Sequence, residues 1–409
     1  MTVEYAKGSP RRDAQILSMI GLGHGLSHFY LLALPPLFPL LKDAFGVSYA
    51  ALGLLITVLN AATATTQLPA GMLIDRFGAR GMLIGGIGLM GGAIGFIGLA
   101  TDYWMVLVLV VVAGIGNSVI HPADYVILTA SVNQRRIGRA FSIHTFAGNI
   151  GFILAPVTMI LLANMVGWRS ALMTCTLLAA VAILVLVAWG GMLQSPAEIA
   201  EKKTSEEDPA PSGIALYLNA KILPLFFFFV ATAMVTSGIQ TFSVTVLVDY
   251  QALDLKTANT VLTAFLIASA TGILLGGSIA DSIKRHRTYA VAIMFFGALL
   301  MAIMGAIQLP FLILLLLYAI FGLTQGTLRP VRDMLVKAAA PEGTLGRIFG
   351  FVSTGLNVGA ALSPVLFGFI IDIGKPHLVF YFLAAFTLAG VLTVGILKRR
   401  PANSAVTNR

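Results

Sequence analysis

Charge is scarce in this chain. Asp, Glu, Lys and Arg make up 11% of its 409 residues, against roughly 25% in soluble domains, which excludes an ordinary soluble enzyme or binding module. Acidic residues are the rarer sign, 17 against 26 basic, for a formal charge of +9. Such an excess would suit nucleic acid only if the cations formed one face. They fall instead in short gaps between apolar stretches, so no nucleic-acid partner is expected. Cysteine is nearly absent: Cys175 is alone, which precludes an internal disulfide, and its apolar surroundings favour an inert packed thiol. No phosphate-binding glycine loop ending in Lys-Ser/Thr and no nucleophile–base pair can be found in the sequence, so neither ATP-driven work nor catalysis is expected. No cofactor is expected either.

Apolar sequence is what the chain has in abundance. Hydrophobic residues reach 58% and the mean hydropathy is +0.92. A membrane span needs about 20 apolar residues, and twelve can be placed. Those of the first half lie near 15–41, 49–74, 81–100, 103–131, 138–163 and 169–192. Those of the second lie near 222–248, 257–280, 288–307, 310–337, 346–371 and 378–397. The first span exceeds a signal h-region and reads as a retained helix. The only long polar gap follows the sixth span, so the expected organisation is a six-helix bundle over 1–193, a flexible linker over 194–220 and a second six-helix bundle over 221–409. Glycine numbers 42, dense around Gly85-Gly86-Ile87-Gly88 and Gly91-Gly92. Inside a span and with no preceding strand, these glycines suit close helix packing, not nucleotide binding.

The basic residues occupy alternate gaps. With a cytoplasmic N-terminus, the outer gaps hold only Lys42, Arg169, Lys256 and Lys375, while Arg329 and Arg332 lie within a span. That bias predicts both termini in the cytoplasm, in a multi-pass protein of the cell (inner) membrane.

A repeat of 208 positions runs through the chain. His121-Pro122 matches Arg329-Pro330, and Gly138-Arg139 matches Gly346-Arg347. Phe141, Asn149, Gly151 and Pro156 likewise match Phe349, Asn357, Gly359 and Pro364. Two related halves of membrane helices are the architecture of a carrier, and positions where the halves differ are candidates for function.

Between spans two and three stands Gly71-Met72-Leu73-Ile74-Asp75-Arg76-Phe77-Gly78-Ala79-Arg80, with a degraded copy, Gly277-Ser278-Ile279-Ala280-Asp281, between spans eight and nine. This loop closely resembles the signature of the major facilitator superfamily. The resemblance covers essentially the whole chain. It implies an all-α fold of twelve transmembrane helices in two pseudo-symmetric bundles, alternating access, and a cavity lined mainly by spans one, four, seven and ten. It also implies a monomer, and a conformational latch formed by Gly71, Asp75, Arg76, Gly78, Arg80 and Asp281; the alternative is that Arg76 and Arg80 only signal topology. Ile120-His121-Pro122 resembles fosmidomycin-resistance-like bacterial members. The chain departs from antiporter patterns, with Val110, Val111 and Val112 where an Arg is expected and no glycine pair after Pro156.

Ionisable groups within spans are costly and therefore candidates for function. In span four, Asn117, His121, Asp124 and Tyr125 share one helical face, and Gln325, Arg329, Arg332 and Asp333 repeat it in span ten. Two guanidiniums suit a carboxylate, phosphonate or similar anion; alternatively, Arg332 pairs with Asp333 or Asp124. Gln240 and Asn149 are further candidates for substrate contact. His24 and His28, one turn apart in span one, form with Asp124, Asp333 and His144 a candidate proton-coupling set. The alternatives are structural hydrogen bonds or, less well supplied with ligands, a metal site; no metal is expected. The expected activity is proton-coupled symport of a small organic anion through the lipid bilayer. The alternative is export of a drug or anionic antibiotic.

Overall fold

The computed structural model describes residues 9–133, 136–193, 222–340 and 345–396. Among them every regular element is helical: α1 (Pro10–Leu31), α2 (Phe38–Phe45), α3 (Tyr49–Phe77), α4 (Ala79–Phe96), α5 (Tyr103–Ser131), α6 (Ile137–Trp189), α7 (Leu223–Asp249), α8 (Leu255–Ser282), α9 (His286–Ala306), α10 (Phe311–Ala339), α11 (Leu345–Asp372) and α12 (Leu378–Ile396). Eleven of the described helices or helix runs are long and apolar enough to cross a membrane. The longest, α6, is two crossings. Gly167 interrupts it with φ of 82°, a left-handed conformation that a side chain would disfavour, and the chain turns back there. The expected linker over 194–220 lies outside the described residues.

Local chemistry sets the helix ends. Ser48, Asp102 and Asp254 each accept a backbone N–H from the first turn of α3, α5 and α8, caps worth about 1 kcal/mol each. The first span, expected to run unbroken over 15–41, is divided. Pro35 and Pro36 open a 3₁₀ turn after α1, because proline lacks the N–H that would continue the ladder and restricts the residue before it. Pro122, Pro156, Pro330 and Pro364 stay inside their helices.

Glycines on matching positions bring matching helices together. Gly151 of α6 meets the backbone of Gly25 on α1, and Gly359 of α11 meets Val230 and Ala233 on α7. Gly114 of α5 lies on Leu59 of α3, as Gly322 of α10 lies on Phe265 of α8. Such contacts replace the hydrophobic drive that lipid cannot supply. The result is two pseudo-symmetric bundles. Their outer surface carries large apolar side chains, among them Trp104, Leu177, Leu184, Leu316 and Leu392, a surface fit for acyl chains and not for water. At the face distal to both termini the bundles touch along α3 and α11, where Thr57 donates its hydroxyl proton to the Ala361 carbonyl at 2.5 Å and Gly53 abuts the Pro364 carbonyl.

Candidate functional site

A cavity of about 400 Å³ lies between the two bundles. Its walls differ. The N-terminal bundle contributes Leu31, Leu32, Pro35, Ile56, Leu59 and Phe152, with His28 and Asn60 as its polar members. The C-terminal bundle contributes Arg329, Arg332, Gln325, Asn357, Gln240, Thr232, Thr236, Ser237 and Thr241, with Ala233, Leu328, Leu356 and Ala360 between them.

Both arginines come from the middle of α10, beside Pro330. Arg332 donates from Nε to Asp333 Oδ1 at 3.2 Å, and its guanidinium stands 4.1 Å from the centre of the Phe229 ring. Its charge is therefore balanced in part by a carboxylate and in part by an aromatic face. The pairing with Asp333, and not with Asp124, resolves the alternative left open by the sequence. Arg329 is different. It lines the cavity and makes no ion pair or side-chain hydrogen bond with any described residue. A cation this deep in an apolar bundle needs an anion or water to offset its desolvation.

Beside the cavity lies a cluster of four histidines around one carboxylate. Asp124 of α5 is fully buried. Its Oδ2 accepts from His24 Nδ1 at 3.1 Å and from His144 Nε2 at 2.9 Å. With Asp124 ionised, both contacts are donations from the rings, His24 through Nδ1 and His144 through Nε2. The rings of His24 and His144 lie 3.6 Å apart, those of His24 and His28 4.5 Å, and those of His24 and His121 4.9 Å. Gly148 makes room: a Cβ there would fall 2.9 Å from His24 Nε2 and 3.1 Å from His28 Cε1. His28 alone of the four faces the cavity, and neither of its ring nitrogens has a hydrogen-bond partner. Asp124 Oδ1 is likewise buried without one. Two of the four imidazoles, His24 and His144, thus share one carboxylate oxygen.

Two sets of donors, His24 with His28 and His121, and His24 with Asp124 and His144, have ligand atoms within 4.8 Å of one another. Span one alone supplies two histidines, a thin ligand set for a metal, and α5 and α6 bring His121 and His144 to the same place. In the second set, however, the imidazole protons already occupy Asp124 Oδ2.

Other predicted residues divide. Arg329, Arg332, Gln325 and Gln240 line the cavity, as does His28. Four expected substrate contacts, Asn117, His121, Tyr125 and Asn149, do not. Asn117 donates to Thr63 Oγ1 at 3.3 Å, tying α5 to α3. Asn149 spends its amide on the Thr145 carbonyl one turn back. Tyr125 is 47% exposed, beside Phe141 and His144. His121 joins the histidine cluster instead of the cavity wall, and Asp333 pairs with Arg332 instead of joining that cluster. A stripe at i, i+4, i+7 and i+8 spans about 100° of a helix, enough to face several neighbours at once. Of the latch residues, Arg80 donates to the carbonyls of Leu186 and Val187 at the end of α6, within its own bundle. Arg76 lies over the adjacent Phe77 ring, Asp281 is exposed near the end of α8, Gly71 has open space where a Cβ would stand, and Gly78 has φ of 83°. The side chain of Asp75 lies outside the described ones. On α7 the cavity is lined not by Gln240 alone but by a polar stripe of Thr232, Thr236, Ser237, Gln240 and Thr241 at helical spacing, a period readable in the sequence.

Comparison with known proteins agrees with this architecture. The family description "Major Facilitator Superfamily" matches residues 20–258 and 226–409. The uncharacterized MFS-type transporter YfnC of Bacillus subtilis (strain 168) is 27% identical over 369 residues, 87% of this chain and 86% of that one. The fosmidomycin resistance protein of Escherichia coli (strain K12) is 25% identical over 397 residues, 94% of this chain and 93% of that one. A bacterial homolog of the human lysosomal transporter Spinster, solved in an inward-facing and unoccupied conformation, superposes with a TM-score of 0.72 over 95% of each chain at 14% identity, a likeness of fold. With twelve crossings, two repeated bundles and a cavity between them, the chain belongs to the major facilitator superfamily and is a multi-pass membrane transporter of a small molecule.

Proposed function

We propose that this transporter carries a small organic anion, carboxylate- or phosphonate-like, by alternating access and in symport with protons. The observation that carries the reading is Arg329, a guanidinium in the cavity wall with no side-chain or ion-pair partner among the described residues. Arginine stays charged under all working conditions and offers a planar fork to a carboxylate or phosphonate. Arg332, Gln325 and Asn357 stand in the same wall to complete the anion's hydrogen bonds.

Proton coupling is assigned to the cluster of His24, His28, His121, Asp124 and His144. The groups that face it are Tyr125 on α5 and, across the cavity, Arg329 on α10. His28 is the link. A proton on its ring would face the same cavity as Arg329 and add to the attraction for an anion, so that each ligand favours the binding of the other. The contact of α3 with α11 is read as closure of the outer face, which makes this an inward-facing state with both termini cytoplasmic in the cell (inner) membrane. The cavity is complete within one chain, so the working unit is a monomer.

Binding to the purified protein tests the anion reading. Thermal shift in detergent should register a carboxylate or phosphonate that stabilises the wild type and not Arg329→Ala, while both variants elute as folded monomers. Truncating one side of a buried charge pair costs at least about 30-fold in affinity. An unchanged affinity would sink the assignment of Arg329. A second reading, export of a drug or anionic antibiotic, draws on the similarity to the fosmidomycin resistance protein. Resistance without uptake in cells expressing the chain would favour it.

A further inference from the structure

The two walls of the cavity are chemically unlike, and the division follows the boundary between the bundles. Both arginines and three of the four amides belong to the C-terminal bundle, where Leu328 and Leu356 are the large apolar members. Facing them, Leu31, Ile56, Leu59 and Phe152 of the N-terminal bundle offer no donor or acceptor from their side chains, and only His28 and Asn60 interrupt them. Resting on the anion reading above, we infer that the substrate is an amphipathic organic anion. It has one anionic head held by Arg329 and Arg332 and a compact apolar body laid against the N-terminal wall. Highly hydroxylated acids and bare inorganic anions are disfavoured.

The physical reason is desolvation. A hydroxylated body pressed against Leu31, Ile56 and Phe152 would lose its water without gaining partners, and unpaired polar groups are the strongest ground for rejection that a site has. An inorganic anion would satisfy the arginines but leave the apolar wall either wet or empty. An apolar body covers that wall and gains from it. Size fits as well: about 400 Å³ lies in the range of small-molecule sites. Each buried methylene should tighten binding by up to about 4-fold until the wall is covered.

Calorimetry on the purified full chain tests this with acetate, butyrate, hexanoate, benzoate, gluconate, nitrate and hexanol. Arg329→Ala protein in the same detergent subtracts partition into the micelle. The expected result is affinity rising from acetate to hexanoate, benzoate bound, and gluconate no tighter than acetate. Leu31→Thr should then weaken hexanoate several-fold more than acetate, with its folding checked by its elution as a monomer. Gluconate or nitrate bound as tightly as hexanoate overturns the inference while leaving an anion carrier standing. Hexanol bound equally by wild type and Arg329→Ala, with no carboxylate preferred, overturns the anion reading itself. Failure of every member to bind counts against both.

Discussion

Asp372, at the last turn of α11, accepts the backbone N–H of Tyr49, the first residue of α3, at 2.8 Å. Its second oxygen takes the Ala50 N–H at 2.7 Å. One carboxylate from the C-terminal bundle thus caps a helix of the N-terminal bundle, where the free amides and the helix dipole both favour negative charge.

This cap should hold the distal face shut. Asp372→Ala removes a charged hydrogen-bond pair worth about 1.5–3 kcal/mol, enough to move an open–closed equilibrium by roughly 10-fold or more. Cys175 is the only cysteine and is buried, so a pair of spin labels on the distal ends of α3 and α11 can be introduced at new cysteines. The inter-label distance distribution should shift toward long distances in Asp372→Ala. An unshifted distribution would assign closure to the Thr57 and Gly53 contacts alone.

The Asp124 cluster should govern energy coupling more than binding. Asp124→Asn keeps the shape but gives His24 and His144 an amide in place of an anion. In proteoliposomes, uptake driven by a proton gradient is expected to fall at least about 10-fold, while exchange of substrate across the membrane continues. Equal loss of both activities would mean that the cluster only holds α1, α5 and α6 together.

Room for the cluster depends on Gly148. Gly148→Ala would put a methyl group 2.9 Å from His24 Nε2, so a ring must move. Overpacking of this kind costs about 1–3 kcal/mol. The variant should melt earlier and lose proton-driven uptake, whereas Gly71→Ala, with open space around its Cβ inside α3, should be neutral or slightly stabilising.

Outside the membrane, Asp254 caps α8. Hydrogen bonds from the Thr257 hydroxyl and amide hold its carboxyl below the usual carboxylate range. A depressed folded value means that the cap's contribution is fully present above the ordinary pKa of about 4 and is lost as pH falls through the folded value. Asp254→Ala should lower stability by about 1 kcal/mol at neutral pH, with the difference from wild type shrinking in acid. A difference that grew as the pH fell would contradict this sign.

Much of the fold is legible in the sequence because its signals are long. Twelve apolar runs, a repeat of 208 positions and two prolines at matched register survive any error of a few residues. Arg329 and Arg332 were legible for the same reason: charge inside a span has few explanations. The histidine cluster was only half visible. His24 and His28 announce themselves by spacing on one helix, but His144 reaches His24 by the packing of α6 against α1, which rests on Gly151 and Gly25, and meets Asp124 because α5 packs there too. No spacing within one helix carries that information. Asn117 and Asn149 misled because an amide inside a membrane helix satisfies itself equally well on a neighbouring helix or on its own carbonyls. The hydroxyl stripe of α7 had a readable period, yet Thr232 and Thr236 also bond their own helix, so the period alone does not distinguish a cavity face from a packed one.

His121 and Arg329 occupy one register, each immediately before a proline, in helices related by the internal repeat. A symmetric dimer of a six-helix chain could not have set a titratable ring against a permanent cation, because every substitution would appear on both sides. Fusing the two copies into one polypeptide removed that constraint. Each half carries its own chemistry at the same geometric point, while the matched glycines that pack helices within each bundle, Gly114 and Gly151 against Gly322 and Gly359, are the same in both.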